Sequence, residues 1–252
     1  MSNIIEVKNL VKTYGQATAV KDISFEVKEG EIFGLLGPNG AGKTTTLEII
    51  ETLKPLTSGS VKVDGFDVNE NPEEVKIRIG IQLQAAGFYP NLNLVELLGM
   101  FGVAYNVPVD PMAMLKKFNL EEKALVEFDK MSGGQKQRFS LATTLINSPR
   151  VIFLDEPTTG LDPQARINLW DVIREIKSQG VTVVMTTHYM DEAEVLCDRL
   201  AIMDNGNIIA EGSPKKLITD LLDRGFKRHE EVQPATLEDV FLNLTGRRIR
   251  ES

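Results

Sequence analysis

The chain has 252 residues, 42% hydrophobic and 25% charged, with a formal net charge of −8; this is globular composition with enough apolar residues for a large core, and it excludes disordered and fibrous classes. One cysteine and two histidines rule out an intramolecular disulfide and leave too few soft ligands for a transition-metal centre. The acidic balance disfavours a broad phosphate-backbone footprint, so nucleic acid is not an expected partner.

The opening residues carry Glu6, Lys8 and Lys12 among alternating apolar positions, which reads as a strand rather than a signal peptide. A cytosolic location is the expectation. Strands are predicted over 4–10 and 24–27, and with the run 60–68 they suggest an antiparallel sheet. Segments 31–37 and 151–155 are apolar on both faces, as buried strands are, and 181–188 is rich in β-branched residues. A helix is predicted over 44–53, and a helical pattern broken by Pro108 and Pro111 fills 91–129, pointing to a small helical lobe at about 85–131. Asp162 as N-cap with Pro163 at the first helical position opens a helix that places Ile167, Trp170, Ile173 and Ile176 on one stripe and ends at Gly180. Strand, helix, strand implies a parallel crossover. No apolar run approaches the roughly 20 residues needed to cross a bilayer. No repeat or linker divides the chain, so one domain over 1–252 is expected.

Two motifs carry chemistry. Gly37-Pro38-Asn39-Gly40-Ala41-Gly42-Lys43-Thr44, followed by Thr45, satisfies the P-loop pattern between a strand and a helix. Glycines let backbone N–H groups close around phosphate oxygens and the helix N-terminus adds its dipole. Lys43 reaches the β/γ-phosphates, and Thr44 offers a hydroxyl to Mg²⁺. ATP and Mg²⁺ are therefore the expected ligands. At 151–156 an apolar strand delivers Asp155 and Glu156 at its C-terminal end, where ligands bind in open parallel sheets. Side-chain alternation separates their tasks: Asp155 is assigned to the metal and Glu156 to the attacking water.

Met131-Ser132-Gly133-Gly134-Gln135 resembles the signature of ABC ATPases, usually written with Leu first. Methionine keeps a comparable apolar volume there, and Ser132 to Gln135 also fit a capping box opening a helix over 136–146. The resemblance covers nearly the whole chain. It implies an α/β fold, with a P-loop NTPase core of ABC type, an antiparallel β subdomain and a small helical subdomain. It further implies that the Ser132 loop binds the γ-phosphate of ATP held by a second ATPase subunit, so that two copies, read as a homodimer, complete each other's sites. By the same resemblance Tyr14 stacks on adenine, Gln84 senses Mg²⁺ and the attacking water, Asp162 lies in the dimer-crossing loop, and His188 contacts the γ-phosphate. The segment 235–246 is similar to the C-terminal helix of the drug-resistance and multidrug exporter branch, with a helical tail expected at about 235–247. These readings imply an ATP-hydrolysing exporter subunit, peripheral on the cytoplasmic face of a membrane through an integral permease on another chain. A soluble ABC ATPase without a permease, serving cofactor assembly or translation, is the alternative.

Overall fold

The computed structural model describes residues 2–82, 87–89 and 91–225. In chain order the elements are β1 (Asn3–Tyr14), β2 (Ala17–Lys28), β3 (Ile32–Leu36), α1 (Lys43–Ile50), β4 (Ser58–Val63), β5 (Phe66–Asp67), α2 (Pro72–Lys76) and β6 (Ile79–Gln82). There follow α3 (Leu94–Tyr105), α4 (Pro111–Lys117), α5 (Gly133–Thr143), β7 (Val151–Asp155), α6 (Pro163–Ser178), β8 (Thr182–Thr187), α7 (Met190–Leu196), β9 (Arg199–Asp204), β10 (Asn207–Gly212) and α8 (Pro214–Asp223). Contacts divide the chain into units 1–217 and 218–252. The first holds both sheets and every helix through α7. The second is described over 218–225 only, the end of α8, where Ile218, Leu221 and Leu222 are exposed. The tail expected at 235–247 lies outside the described residues. No helix among the described residues is long and apolar enough to cross a membrane.

The predicted antiparallel sheet is present, in the order β2-β1-β4-β5. Its strands are longer than alternation suggested because register shifts between β1 and β2 interrupt the period-two pattern. The run 60–68 joins this sheet as a hairpin: Asp64 and Gly65, at φ 50 and 83, turn the chain between β4 and β5. The same chemistry at Asn205 and Gly206, φ 47 and 82, joins β9 to β10, a hairpin that sequence reasoning missed although Asn-Gly is its strongest short signal.

The second sheet runs β10-β9-β3-β8-β7-β6, with β9, β3, β8, β7 and β6 parallel and β10 antiparallel at one edge. Its inner strands are buried on both faces, which is why they read as continuous apolar runs. Phe33, Leu35, Val151, Phe153 and Val184 point into a core shared with α1 and the antiparallel sheet. Ile32, Leu36, Ile152, Leu154, Val183 and Met185 point into a core built with α3, α5 and α6. On α6 the buried stripe is Leu169, Trp170, Ile173 and Ile176, whereas the predicted member Ile167 is 47% exposed. At 3.6 residues per turn Leu169 falls among the other three and Ile167 well off their centre.

Edge strand β6 is crossed closely by the end of α5. A Cβ on Gly80 would stand 1.9 Å from the Thr144 carbonyl oxygen, so Gly80→Ala must push backbone against backbone. Its expected cost is about 1–3 kcal/mol, read as a lowered urea midpoint at unchanged slope.

Candidate nucleotide site

The site assembles on the C-terminal edge of the parallel strands. The chain visits β3, β7 and β8 in that order, yet β8 lies between the other two, with Leu36 beside Thr187 and Asp155 beside Thr186. The loop after β3, the acidic pair ending β7 and His188 after β8 therefore meet although they are far apart in the chain.

Gly37 donates its N–H to the Thr187 carbonyl at 3.3 Å, and a Cβ on Gly37 would lie 2.2 Å from the Met203 carbonyl oxygen. Gly42, at φ +100, would meet the Ala19 carbonyl at 2.6 Å. The loop is thus wedged between β9 and β2, and only glycine fits both positions. Gly42 is the N-cap of α1 and no side chain caps that helix, so its first N–H groups face the cleft without a side-chain acceptor, an arrangement that takes an anion. A cleft of about 370 Å³ opens here, lined by Ala19, Asn39, Gly40, Gly42, Lys43, Thr44, Thr45 and Glu156.

Lys43 is 5% exposed, and its ammonium donates to the carbonyls of Gly37 at 2.8 Å and Pro38 at 3.1 Å. Burial holds it below its ordinary pKa, while the Glu156 and Asp155 carboxylates pull the other way. The Thr44 hydroxyl sits 3.3 Å from both carboxylate oxygens of Asp155. A hydroxyl and a carboxylate converging beside an anion cradle form a hard-oxygen donor set of the kind Mg²⁺ takes alongside phosphates and water. Thr186 also donates to Asp155 and fixes its rotamer.

Glu156 adopts φ 48, a left-handed conformation rarely seen at a non-glycine residue. Its N–H donates to both the Thr186 hydroxyl at 3.0 Å and the Thr186 carbonyl at 3.2 Å, which holds the bend. The bend brings Oε1 to 3.9 Å from Lys43 Nζ and 3.2 Å from His188 Nδ1, the latter without hydrogen-bond geometry. Oε2 accepts from the Thr159 hydroxyl at 3.1 Å. Thr186 and Thr159 were not legible as site residues: each contributes through strand register or a local turn, which residue type alone does not reveal.

Ser132 stands elsewhere. Its backbone N–H donates to Gln135 Oε1 at 3.0 Å and its hydroxyl accepts from the Gln135 N–H at 3.4 Å, so the predicted capping box is formed; the helix starts at Gly133, earlier than 136. Met131 is buried in the apolar core that includes side chains of α3, α5 and α6. The Ser132 loop lines a separate cleft of about 430 Å³ with Arg138, residues 160–162, Gln164, Ala165 and Asn168. Asp162 caps α6, accepting from the Ala165 N–H at 2.8 Å. Tyr14 is not among the residues lining the P-loop cleft; it is 44% exposed at the end of β1, with Lys12 Nζ 4.9 Å and Lys54 Nζ 5.7 Å from its ring centre. Gln84 lies outside the described residues. Gln82 is buried on β6 with neither side-chain amide atom hydrogen-bonded.

Just past α1, Glu51 is 1% exposed, and its Oε1 has no hydrogen-bond partner. Burial first, then the charges of Asp155 and Glu48, push its carboxyl from 4.5 up to about 8. Between those values the unfolded chain has released a proton that the folded chain retains, so this group makes stability fall as pH rises from 4.5 to about 8. Glu51→Gln is expected to remove that fall, measured as the melting temperature against pH.

Comparisons with known proteins agree with this geometry. Residues 20–159 match the family model described as ABC transporter. The chain is 41% identical over 221 residues to Nod factor export ATP-binding protein I of Ralstonia nicotianae, covering 86% of this chain and 69% of that protein. It is 39% identical to linearmycin resistance ATP-binding protein LnrL of Bacillus subtilis over 88% of this chain and 71% of that one. A dimeric ATP-binding cassette solved in a post-hydrolysis state with ADP and Pi superposes with a TM-score of 0.74 at 29% identity, over 83% of this chain and 98% of its own. The chain belongs to the ABC transporter family, as one of its ATP-binding, ATP-hydrolysing subunits.

Proposed function

We propose that the chain powers an exporter as one half of a head-to-tail dimer, seated on the cytoplasmic face of a membrane permease carried by another chain. The observation that supports this best is the separation of two half-sites in one molecule. Lys43, Thr44 and Glu156 line one cleft, and Ser132, Gly133, Gly134, Gln135 and Asp162 line another. A phosphate chain seated on the first leaves an outer face that a second copy's Ser132 loop can cover. Export as the direction follows from the names of the relatives, one an export and one a resistance ATP-binding protein.

In this reading the P-loop N–H groups and the Lys43 ammonium receive the phosphates, the ammonium exchanging the Gly37 and Pro38 carbonyls for phosphate oxygens. Glu156 accepts a proton from the attacking water and is oriented for it by Thr159. His188, beside Glu156, contacts the γ-phosphate, and Tyr14 offers its exposed ring to the adenine. Mg²⁺, when bound by Thr44, Asp155 and Gln84, supplies neutralisation of phosphate charge.

Affinity isolation of the subunit from gently solubilised native membranes, with mass spectrometry of what co-purifies, tests the assignment. A stoichiometric polytopic partner is the expected result. A soluble partner, or none in a preparation where other membrane complexes survive, would replace this reading with a soluble ABC ATPase.

A further inference from the structure

We infer that Arg166 is a positioning residue that couples the Asp162 loop to His188 through the ring of Tyr189. This rests on the reading of His188 as a phosphate-contacting group. Arg166 lies one turn into α6, its N–H bonded to the Asp162 carbonyl at 3.0 Å. Its guanidinium carbon stands 5.4 Å from the ring centre of Trp170 and 5.1 Å from that of Tyr189, so the planar cation bridges two aromatic rings. The first ring is anchored: buried Trp170 donates its indole N–H at 3.1 Å to Glu192, which is fully buried on α7. The second flanks the site, with the Tyr189 and His188 ring centres 4.1 Å apart and tilted 39°.

The ion pair of Arg166 with Asp191 does not account for this arrangement. Asp191 is 56% exposed, and surface pairs contribute little. What the guanidinium adds is a flat face that an ammonium lacks. Asp162 lines the cleft where a second copy would seat. Movement of the start of α6 on dimer closure would carry Arg166 with it, then the Tyr189 ring, then the imidazole beside Glu156. The coupling gives the partner's arrival at the Asp162 cleft a mechanical route through the chain to the Glu156 and His188 side of its own P-loop site.

The test uses Arg166→Met and Arg166→Lys in a His229→Gln background, which leaves one imidazole signal in the proton spectrum. Because the Tyr189 ring is retained in both variants, a changed ring-current shift at His188 reports that the placement of the two rings relative to each other has changed. Both variants should shift that signal and lower ATP turnover about tenfold or more, with ATP affinity and melting temperature near parental. In a His188→Ala background neither should lower turnover further, since the two residues act as one unit. Should the arginine variants fail to fold, Tyr189→Leu should reproduce the loss of turnover and Tyr189→Phe, which keeps the ring, should restore it. An unmoved imidazole signal at parental turnover, or losses that add to His188→Ala, would overturn the inference. Parental turnover in His188→Ala itself would instead sink the role given to His188, while the imidazole signal would still decide the coupling.

Discussion

Glu156→Gln should lower ATP hydrolysis by about a hundredfold or more while ATP binding and ATP-driven dimerisation persist. The substitution is nearly isosteric, and the amide oxygen can still accept the Thr159 hydroxyl that now binds Oε2 at 3.1 Å. What is lost is a basic oxygen 3.9 Å from Lys43 Nζ and 3.2 Å from His188. The cleft also loses one negative charge where phosphate arrives, so a closed ATP-bound dimer should live longer than in the parent. Single-turnover hydrolysis and light scattering in excess ATP and Mg²⁺ measure both effects. Hydrolysis at the parental rate would end the general-base assignment. A variant that stays monomeric would end the head-to-tail arrangement instead.

Lys43→Ala acts one step earlier. With the ammonium gone, the loop keeps its N–H groups but has no cation among the Gly37 and Pro38 carbonyls, whose oxygens would then face the phosphates unopposed. A hydrogen bond to a charged group is worth about 1.5–3 kcal/mol, so ATP affinity should fall about tenfold to a hundredfold, with hydrolysis falling further. Calorimetric titration with ATP separates this from Glu156→Gln, which should bind like the parent. Because Lys43 is buried against backbone carbonyls rather than packed in the apolar core, the melting temperature should change little. A large drop in melting temperature would mean that the lysine serves the fold and that the binding loss is indirect.

How much of this was legible before folding varies by residue. The P-loop was readable as a motif, because its glycines, lysine and threonine are contiguous at the start of a helix, whereas the Met203 and Ala19 carbonyls that a Cβ on Gly37 or Gly42 would strike come from β9 and β2 and only the fold brings them there. The Asp155-Glu156 pair was readable as an acidic strand end, but where the Glu156 side chain points depends on a bend held by Thr186 from a neighbouring strand. The capping box at Ser132 and the cap at Asp162 were likewise predictable, each being satisfied within three residues. Strands β6, β9 and β10 were not identified: β6 is short, and the other two depend on an Asn-Gly turn whose flanking strands lack a strong pattern.

The sequence by itself determined the P-loop motif, the acidic pair ending β7 and the caps at Ser132 and Asp162, since each is written in contiguous residues. Only the tertiary structure decided who meets whom. It inserted β8 between β3 and β7, and so set His188 beside Glu156. It kept the Ser132 loop in a cleft apart from the P-loop. It also laid Arg166 between two rings on the way to His188. The physical reason is that strand order and register are chosen by burying both faces of the parallel sheet at once, a global condition that no local stretch of sequence states.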